Sequence, residues 1–364
     1  MDTVETPDAP EANPESSPEA EPVADVAAVH VGAARWEAIG TTCRVHTTDP
    51  GAVVEARRLV SAQLTELDVA CSRFRHDSEL TQLPHGRWVE VSPVLFSLIE
   101  AARLTAQRTD GAVDPTIATA MDAAGYDRDL DAVQKRVPEH REPVPAPGWF
   151  RVMTDAASSR VLLPHRVELD LGSSAKAWAA DRAATTAAAK LGCGVLVNLG
   201  GDLRAAGAAP AGGWQLTVDD GLPGPGPAIT ITAGGLASSS TARRTWQVRE
   251  RDGELRRLHH ILDPRTGEPA PRTWRLVSAT APTCLTANAA TTAAVVLGAA
   301  APAWLEARGI HARLVSEGPD GERLVRTTGD WPATTTTGRP DAAVLDATGP
   351  DVAAAETTDG RVAS

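Results

Sequence analysis

Between residues 51 and 70, apolar side chains recur at Val53, Ala56, Val60, Leu64 and Leu67, a spacing that places them on one face of a helix. Ser92 followed by Pro93 reads as a cap with proline in the favoured first turn, opening a helix to about Arg108. An Ala-rich helix is predicted over 174–190 and is stopped by Gly192. Val195–Leu199 reads as a buried strand, and Val167–Leu169 as a strand leading toward the Ala-rich helix. Further helices are expected over about 286–297 and from Pro302 to Arg308, ending before Gly309. Residues 312–316 and 322–327 flank a Gly-Pro-Asp-Gly turn and read as a hairpin. Strands and helices do not alternate regularly, so the pattern fits an α+β fold rather than a doubly wound sheet.

The pattern stops at both ends. Residues 1–28 are rich in Pro, Glu, Ala, Ser and Asp and contain no hydrophobic stretch, so they cannot offset their ordering entropy by burial. The expected organisation is therefore a disordered acidic tail over 1–30, a folded body over 31–330, and a second disordered tail over 331–364. Two internal stretches, 138–148 and 219–227, read as surface loops from their Pro and Gly content.

Charge changes the picture once it is located. Of the net −12, the first thirty residues carry eight negative charges and residues 331–364 a net three, which leaves the body at −1. A near-neutral body argues against a general nucleic-acid binder, whose surface should be basic. The absence of 18 consecutive apolar residues argues against a membrane span. The N-terminal segment lacks the basic start and apolar run of a secretory signal, so a cytoplasmic location is expected. Cys43, Cys71, Cys193 and Cys284 show neither metal-ligand spacing nor a dense disulfide framework.

Candidate chemistry lies in clusters of Gly, Asp and small polar residues. Asp170-Leu171-Gly172-Ser173-Ser174-Ala175-Lys176 opens the Ala-rich helix, whose first turn offers N–H groups and a positive dipole end to an anion. Lys176 is one of three Lys against 32 Arg, which suggests a position where a guanidinium would not serve. An ordinary capped helix with a surface Lys explains the segment equally well. Asn198-Leu199-Gly200-Gly201-Asp202 allows either a backbone that approaches a ligand closely or a plain hairpin turn, and taken alone favours the turn. His259 and His260 precede an Asp-Pro turn. Adjacent strand side chains point apart, so one imidazole at most faces a pocket. Asn288, Thr291 and Thr292 share a helix face and offer oxygens to a hard cation, although that face carries no carboxylate. A helix packed closely through Ala and Thr is the competing explanation.

Read in order, eight short motifs together resemble the ApbE-type flavin transferases, which move FMN from FAD onto a Ser or Thr of a target protein with Mg²⁺. They are Ile39-Gly40-Thr41, Ser72–Leu80, Asp110–Thr116, Asp170–Lys176, Asn198–Asp202, Gly235–Ser240, His259–Gly267 and Ala287–Gly298, and they span most of the body. The resemblance implies an α+β fold, related to the T-folds, with mixed, largely antiparallel sheets, packed helices and FAD bound between the parts. It places Ile39, Phe74, Ala112, Val113, Asp114, Asp170, Lys176, His260 and Ile261 at the flavin nucleotide. It also gives Mg²⁺ the backbone carbonyl of Ser173 and the side chains of Asn288, Thr291 and Thr292. The family commonly has Asp where this chain has Asn288, which lowers the expected affinity for Mg²⁺ unless the pyrophosphate supplies most of the binding. The implied reaction is attack of an acceptor protein's hydroxyl on the FMN phosphorus with AMP leaving. Lys176 would add positive charge, and His260 or Asp170 would serve as base. FAD pyrophosphatase activity, or flavin binding with little catalysis, are the alternatives.

Overall fold

The computed structural model describes residues 31–223, 226–332 and 345–346. The expected tail over 1–30 and most of the one over 331–364 lie outside the described residues. Eight strands build one sheet: β1 (Gly32–Ala38), β2 (Thr41–Thr47), β3 (Val195–Leu199), β4 (Asp202–Ala206), β5 (Gly234–Ser240), β6 (Leu276–Ala281), β7 (His311–Glu317) and β8 (Arg323–Thr328). Each pairs antiparallel with the next, so order across the sheet is order along the chain. The hairpin read over 312–327 is the β7–β8 pair. Between β2 and β3 the chain leaves the sheet to form α1 (Val53–Cys71), α2 (Pro93–Arg108) and α3 (Gly172–Leu191). Between β6 and β7 it forms α4 (Cys284–Leu297) and the short α5 (Ala301–Ala307).

The helices start and stop where local chemistry dictates. Ser92 Oγ accepts from Leu95 N at 3.2 Å and caps α2, while the Glu79 carboxylate takes the Ser92 N–H. Gly192 adopts a left-handed φ of 66° and ends α3. Thr283 Oγ1 accepts from Thr286 N at 3.1 Å, so α4 begins two residues before the apolar pattern does.

Side-chain alternation sorts the sheet into two faces. Val195, Val197 and Leu199 pack under the helices with Ala177, Ala180, Ala184 and Ala187 of α3, whose small side chains let helix and sheet approach closely. Leu196, Leu203, Leu236 and Leu276 point to the opposite face. There they meet a ribbon of Trp214–Thr217 and Ala228–Ile231, along which Leu345–Asp346 pairs in parallel. Because Leu203 and Ala205 face the ribbon, Asp202 and Arg204 are directed toward the helices. The helical stretch Cys284–Ala307 is long and apolar enough by composition to cross a bilayer, but 67% of its most apolar 18 residues is buried within the protein, as in a core helix.

Two expectations are corrected. Val167–Leu169 joins no ladder: Val167 and Leu169 are buried in the core, the Val167 carbonyl accepts from His85 Nε2, and Asp170 N donates to Pro115 O. The alternation there records burial without pairing. The stretch 219–227 is not wholly a surface loop, since Asp220 is buried. Its carboxylate accepts from Arg323 Nη2 at 2.9 Å and from Arg313 at 3.3 Å, pinning the loop to β7 and β8.

Candidate functional site

The sheet and the helices bring four segments together: the start of α3, the β3–β4 turn, α4, and the stretch that carries Arg244 and His260. The β3–β4 connection is a hairpin turn, as the motif alone favoured. Gly200 (φ 68°) and Gly201 (φ 100°) take conformations that side chains disfavour, and Asn198 Oδ1 accepts from Gly201 N at 2.9 Å. The turn delivers Asp202 to the helix side. There Asp202 Oδ1 accepts from Asn288 Nδ2 at 3.0 Å, so a carboxylate from β4 reaches the helix face that has none of its own. Asn288 Oδ1 is buried and has no hydrogen-bond partner.

Lys176, Asp202, Arg244 and His260 lie close enough for their charges to act on one another. Burial, then Arg244, lowers the Lys176 ammonium, with Asp202 and Asp170 opposing. Burial raises the Asp202 carboxyl, while Lys176 and the Asn288 hydrogen bond pull it down. Burial, followed by Arg244, His259 and Lys176, holds the His260 imidazole well below its ordinary 6.5, so it is neutral near pH 7. His260 Nδ1 is buried without a partner. His259 turns the other way: its Nε2 bonds Ala270 O at 3.0 Å and its Nδ1 accepts from Ile261 N, which makes it a structural residue.

Asp170 stands at the start of α3, but both of its oxygens are engaged: Oδ1 accepts from Gly172 N at 2.7 Å and Oδ2 forms an ion pair with Arg73 Nε at 2.9 Å. Ser174 N and Ala175 N turn back to Leu171 O, so the first turn is more satisfied internally than its sequence suggests. Ser173, the second residue of α3, is half-buried beside them. On α4, Thr291 is fully buried; its hydroxyl bonds Asn288 O at 3.1 Å and Ser239 Oγ at 2.9 Å. Thr292 is half-buried, with Ser239 Oγ at 3.1 Å.

The residues expected against the flavin divide into groups. Ala112, Val113 and Ile261 share one buried apolar cluster. Phe74 joins a different one, edge-on to Tyr126 with ring centroids 5.8 Å apart, and Tyr126 stacks on Trp246. The Arg73 guanidinium lies 4.4 Å over the Phe74 ring while it pairs with Asp170 and Asp122. Asp114 is buried, and its oxygens accept from Thr116 N and Trp149 N. Ile39 occupies the β1–β2 turn at φ 47°, a strained conformation for a β-branched residue.

Arg244 and Tyr126 escaped the sequence reading. Arg244 adopts φ 49° in a turn where nothing but its unexpected conformation marks it, and it is one of 32 Arg. Tyr126 is the single Tyr, which was a signal available from composition. Among the described residues no group of three or more His, Cys, Asp or Glu could hold a metal, so a cation here needs amide, hydroxyl or ligand oxygens as well. The donor set fits a hard cation: the unpartnered Asn288 amide oxygen lies beside the Asp202 carboxylate, with the Thr292 hydroxyl one turn on along the same helix face. A cavity of about 800 Å³ opens between α1, α2 and α3 beside Trp178 and Glu79, but it includes none of these charged groups.

Comparison with known proteins agrees with this fold. Residues 39–314 match the model of the ApbE family. The FAD:protein FMN transferase of Treponema pallidum is 32% identical, with 71% of this chain and 77% of that protein covered. The enzyme of the same name from Haemophilus influenzae is 27% identical, covering 71% and 79%. Among solved structures, the ApbE protein of Thermotoga maritima superposes with a TM-score of 0.69 at 26% identity, covering 82% of this chain and 97% of that one. The flavinyl transferase ApbE of Pseudomonas stutzeri, in its apo form, gives 0.68 at 25%, covering 82% and 95%.

Proposed function

The chain belongs to the ApbE family, and from that premise we propose that it transfers the FMN part of FAD to a Ser or Thr hydroxyl of an acceptor protein, with Mg²⁺ and with release of AMP. The observation that carries this reading is His260: a half-buried, neutral imidazole whose buried Nδ1 has no partner, set beside the cations Lys176 and Arg244. A neutral imidazole can take a proton while the flanking cations attract phosphate oxygens.

The acceptor hydroxyl attacks the FMN phosphorus. A phosphate ester bond forms, the pyrophosphate P–O bond breaks, and AMP departs with the electron pair. In the tautomer protonated at Nε2, His260 Nδ1 is free to receive the hydroxyl proton. Asp170 is less suited to that task, because Gly172 N and Arg73 already occupy its oxygens. Lys176 and Arg244 would hold the pyrophosphate and offset the charge that grows on the leaving phosphate. Bound Mg²⁺ would neutralise pyrophosphate charge, held by Asn288 Oδ1, Thr292 and the Ser173 carbonyl. Thr291 would support the helix through its bonds to Ser239 and Asn288 O. Ala112, Val113 and Ile261 would offer an apolar surface to the isoalloxazine.

Incubation with FAD, Mg²⁺ and a candidate acceptor protein, followed by intact mass analysis, tests the reading. Addition of one FMN to the acceptor is expected, together with loss of at least a hundredfold in rate for His260→Ala at unchanged FAD affinity. Release of FMN and AMP with an unmodified acceptor would instead make the chain a FAD pyrophosphatase.

A further inference from the structure

We propose that Asp202, rather than a residue of α4, supplies the anionic oxygen of the divalent-cation site, and that Asn288 serves as its neutral partner. The inference rests on the Mg²⁺-dependent reading above and adds the ligand that the sequence of α4 lacks. Three observations carry it. Period-two alternation in β4 sends Leu203 and Ala205 to the ribbon face and so directs Asp202 to the helix face. Asp202 Oδ1 and Asn288 Nδ2 are hydrogen-bonded at 3.0 Å, a contact between residues far apart in sequence. Asn288, only 8% exposed, keeps Oδ1 without a partner.

The hydrogen bond fixes the amide. Turned over, it would set Oδ1 against the carboxylate, oxygen to oxygen, so Asp202 holds Nδ2 to itself and leaves Oδ1 for another donor or a cation. A buried amide oxygen without a donor is costly unless something electropositive completes it. One carboxylate and one amide oxygen, with the Thr292 hydroxyl one turn along the same helix face, form an oxygen set that suits a hard divalent ion. The same charge would result if the two residue types were exchanged, Asn at 202 and Asp at 288. Lys176 and Arg244 act on the same carboxylate, so a second cation is opposed until a pyrophosphate brings its own negative charge. Metal and FAD therefore bind jointly, each tightening the other by the same factor.

Mn²⁺ binding, followed by electron paramagnetic resonance on the full-length protein with FAD and without acceptor, tests this. Asp202→Asn retains an oxygen to accept from Asn288 Nδ2, so folding should persist, with an unchanged melting temperature, and FAD affinity in EDTA should not fall. Its Mn²⁺ affinity should fall at least tenfold. The exchanged double variant, Asp202→Asn with Asn288→Asp, should return to within threefold of the parent. Equal Mn²⁺ affinity in the parent and Asp202→Asn, or a double variant no better than the single, would overturn the assignment and leave the transferase reading standing. A parent that binds FAD but no Mn²⁺ would overturn both the assignment and the metal dependence.

Discussion

Two buried polar clusters in this chain are built on opposite principles. Around Asp220, one fully buried carboxylate meets two guanidiniums, Arg313 and Arg323, and Leu222 N also donates to it. Around Asp202, cations, a carboxylate and an imidazole crowd together, yet His260 Nδ1 and Asn288 Oδ1 have no partner. The first cluster is closed, and its bonds hold a loop on the sheet. The second is open, and what it lacks is what a donor hydroxyl and a cation would bring. Buried charge by itself therefore does not mark a site; here the unpartnered imidazole and amide atoms beside it do.

Breaking the closed cluster should have the largest effect on stability. Asp220→Ala strands Arg313 in the interior and is expected to cost about 3 kcal/mol or more, seen as an earlier urea midpoint, while transfer per folded molecule stays near parental. The complementary change, Lys176→Ala, should lower FMN transfer on the order of a hundredfold and leave the midpoint unmoved. If both variants lose stability and neither loses turnover selectively, the distinction between the clusters fails.

Acid sharpens the contrast. At Asp220, hydrogen bonds and charge from Arg323 and Arg313 outweigh burial and depress the carboxyl, so its contribution is present above the ordinary carboxylate range and is lost as pH falls through its lowered value. His260 runs in the same direction over a higher window, because its imidazole stays neutral in the native state while the unfolded chain takes up a proton below 6.5. Its stabilising effect is complete above that pH and erodes as pH falls below it. His46 and His259, both held at about 4, erode in the same direction, so a melting curve alone would not separate them. An NMR titration of His260 would: Arg244→Ala removes a neighbouring cation and should move its midpoint upward, toward 6.5. An unmoved midpoint would detach Arg244 from the site.

The smallest effect is expected at Ile39. Asn tolerates the left-handed conformation that strains Ile, so Ile39→Asn should raise stability by up to about 1 kcal/mol while weakening FAD binding. A lower melting temperature would mean that the packing of Ile39 against the core outweighs its strain.

What the sequence made legible was mainly local. Ser92 with Pro93, the alanine stripe and Gly192 each announce their helix because the deciding physics lies within a few residues. Val167–Leu169 misled because alternation reports which side chains are buried, and a segment can be buried without a neighbouring strand. The pairing of Asp202 with Asn288 was illegible for another reason, since it needs a hairpin to aim one residue and a helix to present the other. Lys176 and His260 stood out by type. Arg244 did not, because its role follows from where a strained turn sends it.

The β2–β3 pairing has a consequence for synthesis. Thr47 faces Val195 in the register, so the inner edge of the β1–β2 hairpin belongs to a strand made much later. At roughly 5–20 residues per second, a ribosome would take on the order of ten to thirty seconds to deliver it. Throughout that interval the nascent hairpin offers an open row of backbone donors and acceptors to any passing strand. The chain emerges with that edge open, so a chaperone that shields extended segments is expected to raise the yield of this protein more than one that acts on finished helices.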